Sequence, residues 1–502
     1  MKKTLLLFAL LSFGLNIWSQ NDTIAVENPN DTLAVTKQKK GLFGKKDKTD
    51  IVKKGISFGP LPVVAFDADK GFQYGGLLNI YDFGDGSHYP EPRQQWYIEA
   101  SAYTKGTQQY FLTWDTKHLI PGVRMSVAAT FVWDRAMDFY GYNGYQANYH
   151  QPDSIKYWSK EKFWGKDHEN KANAPDEFLT AFYRLERMNA TAKVDFVGNI
   201  WKKKLFWQAG YHFGWYRYRS IDVDRINKGK KKEREQEKFV GPTLYEKYID
   251  WGIIPELDKD KGAFSSALRV GLMYDTRDFE AAPSSGIWTE GNITIAPDFF
   301  GSTNSYYRYM LIFRHYVPIV KDQLTFAYRV NYQGTIGKTL PFYIMPVFNT
   351  IGREYDRDGI GGYRTVRGIM RDRIQGLDVG FVNAEFRWKF VKFHLWKQNI
   401  ALGLNAFFDG GIVTRNYNMD YRGAGDENSD MYKEYEKYIK TMYIKTNGEY
   451  NKVNFKDGFH AAAGGGFRII INRNFIIAVD YAVPFNKQDG KGSLYINTGY
   501  LF

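Results

Sequence analysis

The chain has no cysteine, which excludes disulfide staples, thiol nucleophiles, Cys metal sites and the acylated cysteine of a lipoprotein. It also has no run approaching the roughly 18 consecutive apolar residues that a spanning helix needs. The eight histidines, among them His88, His118, His212, His315, His394 and His460, show no ligand spacing. There is no G-x-S-x-G elbow and no phosphate-cradling glycine loop. No metal, no cofactor and no enzymatic chemistry is therefore expected. A mean hydropathy of -0.47 is too polar for a bundle of membrane helices. If exported, the chain crosses a membrane as strands or not at all.

What is present begins with a leader. Lys2 and Lys3 precede a short apolar stretch from Leu5 to Trp18 and then Ser19 and Gln20, so residues 1–20 are expected to be a signal peptide cut near Ser19 or Gln20. Residues 21–54 are polar and aperiodic, with eight lysines against two aspartates between Lys37 and Lys54. They are expected to form a disordered basic periplasmic tail. The formal charge of +13 comes largely from lysines scattered over loops, which suits anionic membrane lipids and lipopolysaccharide better than nucleic acid.

From residue 55 to Phe502 the pattern changes to segments rich in Tyr, Phe, Trp, Val and Ile, separated by turn residues. The spacing predicts strands near 56–67, 71–83, 94–105, 107–119, 123–135, 181–197, 204–218, 264–275, 286–297, 304–316, 322–337, 377–390, 399–410, 458–471, 474–484 and 492–502. That is about sixteen, an all-β transmembrane antiparallel barrel over residues 55–502. The long connections 136–180, 219–263, 338–376 and 411–457 all follow odd-numbered strands in this count. Most connections after even strands are tight turns such as Ile120-Pro121-Gly122. This asymmetry predicts both termini in the periplasm.

Alternation is plain in the twelfth segment, where Val382, Ala384, Phe386, Trp388 and Phe390 are expected to face lipid and Asn383, Glu385, Arg387 and Lys389 the lumen. In the last, Leu494, Ile496, Tyr500 and Phe502 share one face, and Tyr495, Asn497 and Gly499 the other. The first contains Pro60 and Pro62, which lack a ladder N–H. They mark either a poorly paired seam with the last strand, near Gly499 and Phe502, or an entry stretch before pairing begins.

The connection before the twelfth strand holds Gly361 to Arg373, with Arg364, Arg367, Arg371 and Arg373. It is expected to fold inward between strands 11 and 12. Alternation places Asn405, Phe407 and Asp409 of the next strand in the lumen, so Glu385 and Asp409 are inward-facing acids on neighbouring strands. An arginine fork reaches two carboxylates in a way that lysine does not.

Val366-Arg367-Gly368, followed by Phe407-x-Asp409-x-Gly411, resembles the VRG(Y/F) and FxDxG motifs of the BamA/TamA superfamily of outer-membrane assembly and translocation barrels. Asp275-Thr276-Arg277-Asp278 with Pro283-x-x-Gly286 is similar to that family's turn between the eighth and ninth strands, and the chain ends in a similar aromatic segment. The resemblance implies that Arg367 pairs with Asp409 inside the barrel and that the wall parts between first and last strands. Two departures stand out. Ile369 replaces the family's aromatic residue, and only about 35 polar residues precede the barrel, so the soluble POTRA repeats are expected to be missing.

The implied function is insertion or translocation of client outer-membrane proteins or other envelope components, with a lipoprotein or larger assembly complex as partner. The alternative is a passive pore or scaffold whose surface loops bind an extracellular ligand. Tyr140 to Tyr145, Trp158 to Trp164 and Lys228 to Lys238 supply aromatic and charged loops for that role.

Overall fold

The computed structural model describes residues 54–502 apart from 68–69, 88–91, 150–178, 229–237, 280–281, 350–357, 396–397, 441, 447–448, 454 and 472–474. The expected signal peptide, nearly all of the expected tail, the Trp158–Trp164 stretch and most of Lys228–Lys238 lie outside the described residues.

The strands are β1 (Ile56–Asp67), β2 (Gly71–Asp82), β3 (Gln94–Tyr103), β4 (Thr107–Ile120), β5 (Val123–Asp138), β6 (Arg184–Trp201), β7 (Leu205–Arg219), β8 (Ala263–Asp275) and β9 (Gly286–Ala296). Then come β10 (Tyr306–Val320), β11 (Leu324–Ile336), β12 (Asp378–Leu395), β13 (Gln398–Arg415), β14 (Met442–Thr446), β15 (Glu449–Val453), β16 (His460–Ile471), β17 (Phe475–Pro484) and β18 (Ser493–Thr498). Sixteen of them close one antiparallel barrel, in which β13 pairs with β16. β14 and β15 form a separate ribbon in the β13–β16 connection. The spacing of the sequence predicts no strand within that connection.

The wall has the inverted polarity of a membrane barrel. Phe386, Trp388, Leu404 and Phe408 are exposed, while Asn383, Glu385, Asn405 and Asp409 between them are buried. A soluble protein hides its apolar side chains and wets its charges. This wall does the reverse because hydrocarbon lies outside and a polar interior within.

The long connections 139–183, 220–262, 337–377 and 416–459 gather at one end of the barrel. They carry the helices α1 (Val223–Asn227), α2 (Leu244–Asp250) and α3 (Asp430–Tyr438). A capping box between Thr243 and Glu246 starts α2, and Ser429 caps α3. Their rings pack together. Trp251 lies 5.8 Å from Tyr435, and Tyr142 lies 5.7 Å from Tyr248, in one buried cluster that also holds Phe139, Tyr140 and Phe342. Tyr140 and Tyr142 are thus core residues, where the loop-binding alternative had offered them as contacts for a ligand.

The ends of the barrel wall differ from the sequence reading. β1 pairs with β2 along its whole length, with Pro60 opposite Leu78 and Pro62 opposite Gly76. Its pairing with β18, among the described residues, is Phe66 opposite Ile496 and Asp67 opposite Tyr495. The expected last strand to Phe502 stops at Thr498. Gly499 then takes a left-handed φ of +88°, and Phe502 is buried against Tyr316 and Ala327, with Arg387 donating to its carbonyl at 2.6 Å. Gly499 and Phe502 therefore do not pair with β1, and Phe502 does not share the exposed face of Leu494. A left-handed glycine turns the backbone out of the ladder, and the cationic Arg387 holds the end there.

Candidate functional site

Strand alternation sets the acids. Glu385 on β12, Asp409 on β13 and Asp480 on β17 are each almost wholly buried, on the side of the wall opposite the exposed apolar residues. Two wall arginines answer them. Arg468 on β16 holds Asp480 with two bonds of 2.8 Å, and Arg387 on β12 holds Glu385 at 2.5 Å. β16 leaves room for this: a Cβ at Gly464 would lie 2.6 Å from the Phe407 ring, and one at Gly466 would sit on the Asp480 carboxylate.

Arg367 completes the set from the β11–β12 connection. Its Nε and Nη2 donate to the two oxygens of Asp409 at 2.7 and 3.1 Å, and its backbone N–H donates to Asp409 at 3.1 Å. Nη1 lies 3.1 Å from Glu385 and 3.5 Å from Asp480. The guanidinium stacks 3.5 Å over the Phe407 ring. Three guanidinium groups thus face three carboxylates. Balanced charge with every carboxylate bonded to a guanidinium is the condition under which buried ions are tolerated. Val366 and Ile369 flank Arg367 in an apolar cluster with Ile360, Ile374, Phe381 and Val413, so the residue after Gly368 packs as an aliphatic. Gly411 is next to this cluster, with a Cβ there meeting Ile360 at 3.0 Å.

The same connection also reaches the opposite side of the ring. Arg371 pairs with Asp134 on β5 at 2.7 Å and with Asp358 at 3.5 Å. Asp358 in turn takes Arg187 of β6 at 2.5 Å and Lys70 at 3.2 Å. In the ring order β5 stands opposite β13. Between these ends, Arg329 of β11 donates to the carbonyl of Arg364 at 3.1 Å.

Asp372, next to Arg371, has a left-handed backbone with φ of +59° and accepts from the Gly359 N–H at 2.5 Å. Burial, then the neighbouring Asp358 carboxylate, push its carboxyl up to about 7. The folded protein then holds a proton that the unfolded chain has released, so this group's contribution to stability falls as pH rises from about 4 to about 7 and is level above. Asp372→Asn keeps the acceptor and tolerates the backbone. The unfolding midpoint of the variant should exceed that of the parent at pH 8 and approach it at pH 5. Equal differences at both pH values would show that Asp372 titrates normally.

The turn residues form a separate unit. Arg277 chelates Asp275 at 3.0 and 2.7 Å, and Asp278 accepts from the N–H groups of Ser284 and Ser285 at 2.9 and 3.1 Å. Gly286 is left-handed, and a Cβ there would lie 2.3 Å from the Thr276 carbonyl oxygen. Pro283 lies in the same turn.

Sequence reasoning missed Asp480, Arg468 and the Arg371–Asp134–Asp358 arm. Alternation in β17 would have placed Asp480 inward, but nothing local says which loop side chain meets it.

A family model described as the Omp85 superfamily domain matches residues 140–502. No curated protein matches the chain by sequence. Among solved structures, it is similar to Haemophilus ducreyi BamA lacking POTRA domains 1–3, at 13% identity and a TM-score of 0.48, over 89% of this chain and 71% of that one. CdiB from Escherichia coli is similar at 10% identity and a TM-score of 0.49, over 90% of this chain and 64% of that one. The chain thus spans less than two thirds of the CdiB structure.

Proposed function

The chain belongs to the Omp85 superfamily, and from that premise we propose that this outer-membrane barrel inserts or translocates client proteins by lending them the free edge of β1. The observation that carries this reading is the seam: among the described residues, two residue pairs join β1 to β18, whereas twelve join β1 to β2. Backbone groups along an unpaired edge template a new strand. Pro60 and Pro62 cannot donate across it, which blunts accidental pairing.

In this reading the arginine-bearing connection lies in the lumen as a strut between β5–β6 and β12–β17, holding the wall in shape while the seam works. Its contacts with strands on opposite sides of a closed ring support that placement. The buried aromatic cluster over the long-connection end disfavours a steady passive pore. Membrane lipids and lipopolysaccharide surround the barrel, and the proposed partners are client outer-membrane proteins and a lipoprotein or assembly complex.

A cysteine-free chain makes the test clean. Phe66→Cys with Ile496→Cys joins directly opposed residues across the seam, and Leu61→Cys with Leu77→Cys locks β1 to β2 as a control. In cells relying on the variant, oxidation of the seam pair should reduce folded client proteins at least about tenfold, with recovery on reduction, and leave the control unaffected. Normal client levels with a fully formed seam disulfide would rule the reading out.

A further inference from the structure

Away from the arginine site, a second buried polar cluster surrounds His460, the first residue of β16. The imidazole is fully buried. Its Nδ1 lies 2.6 Å from Asp489 Oδ1, and its Nε2 lies 3.2 Å from both oxygens of Asp457. The two acids belong to different connections, β17–β18 and β13–β16. A third connection, β5–β6, supplies Tyr145, whose ring stacks on the imidazole at 3.8 Å, whose hydroxyl donates to Asp489 at 2.6 Å and whose backbone N–H donates to Asp457 at 2.9 Å. The fourth, β11–β12, brings the Met370 N–H to the Asp489 carbonyl at 3.0 Å. It also brings Arg373, 3.7 Å from the Asp489 carboxylate, with donations to the carbonyls of Gly144 and Gln488 at 2.8 and 3.0 Å.

We propose that His460 is held as an imidazolium and serves as a proton-dependent lock, tying four connections together over the long-connection end and releasing them when the proton leaves. An ionised carboxylate only accepts hydrogen bonds, and a neutral imidazole has a single N–H. With a carboxylate at each ring nitrogen, both contacts are satisfied only when both nitrogens donate. The charges agree: His460 and Arg373 balance Asp457 and Asp489, and Tyr145 contributes a neutral phenol. Loss of the ring proton leaves one net negative charge in a dry site, with a nitrogen lone pair facing a carboxylate. A buried unpaired charge of this kind is costly. The damage spreads to all four connections because Asp457 also accepts from Val413 N–H at 3.0 Å and Asp489 is bonded to both Tyr145 and Met370.

The test is hydrogen exchange on the purified chain in detergent at pH 6 and pH 9.5, corrected for intrinsic base catalysis. In the parent, protection in 143–149, 370–375, 455–458 and 486–490 should fall together at least tenfold at the higher pH. His460→Gln should show the weakened protection already at pH 6, with no further response. Asp489→Asn lets a neutral ring accept from the amide while still donating to Asp457, so its protection should persist at pH 9.5. Parent protection that is the same at both pH values would overturn the lock. So would an alkaline loss in Asp489→Asn or His460→Gln equal to the parent's.

Discussion

Asp409→Ala should destabilise the barrel by about 3–5 kcal/mol, toward the low end where lumen water enters. The substitution removes three of the bonds that hold Arg367, including the one to its backbone N–H, and leaves a buried guanidinium with Glu385 and a distant Asp480. Glu385 is already shared with Arg387, so it cannot fully take over. Arg367→Ala should cost a similar amount by stranding Asp409. The double variant Arg367→Met with Asp409→Leu removes one charge of each sign and leaves two carboxylates facing two guanidinium groups. It should therefore be milder than the sum of the singles by roughly 1–3 kcal/mol. Urea midpoints of the refolded barrel, with protease cleavage of the 338–376 connection as a second readout, measure this. If Asp409→Ala unfolds at the parent's midpoint and its connection is cut no faster, the ion cluster does not hold the connection in place.

Gly368→Val is expected to be nearly as damaging without touching any charge. Gly368 has a φ of +88°, and a Cβ there would lie 2.9 Å from the Ala482 Cβ and 3.1 Å from the Ala462 Cβ. Those atoms are short side chains on β17 and β16, fixed to the wall, so they cannot swing aside. A β-branched residue adds left-handed strain of about 1–2 kcal/mol to overpacking of about 1–3 kcal/mol. The connection escapes by lifting off the wall, which pulls Arg367 from Asp409 and breaks the bond from Gly368 N–H to the Tyr495 hydroxyl. Gly368→Ala should show a smaller loss of the same kind. The heat needed to unfold the barrel in detergent, read by gel mobility, separates the three chains. Gly368→Val unfolding at the parent's temperature would mean that the close approach at this position does not constrain the connection.

Legibility differed from one part of the chain to another for physical reasons. Alternation placed Glu385, Arg387, Phe407 and Asp409 on the buried face because each residue's side of the wall depends only on its own strand. The last strand was misread because Leu494 to Phe502 alternates well on paper. The turn at Gly499 depends on Arg387, Tyr316 and Ala327 waiting more than a hundred residues away. The ribbon of β14 and β15 was missed because its strands are short and set inside a polar connection. The aromatic residues Tyr140 and Tyr142 were read as surface because burial by other connections leaves no trace in a short stretch.

The amino-acid sequence by itself determined the barrel wall, the count of barrel strands, and the end at which the long connections lie, since all three follow from period-two patterning and turn spacing along the chain. Only ring closure decided which charges meet. It brings Asp480 to Arg367 across 113 residues, sets Asp134 opposite as the anchor of Arg371, and brings Asp489 of the β17–β18 connection to His460. Hydrogen bonds and ion pairs act over a few ångströms, so residues distant in the chain become partners only after the fold has placed them there.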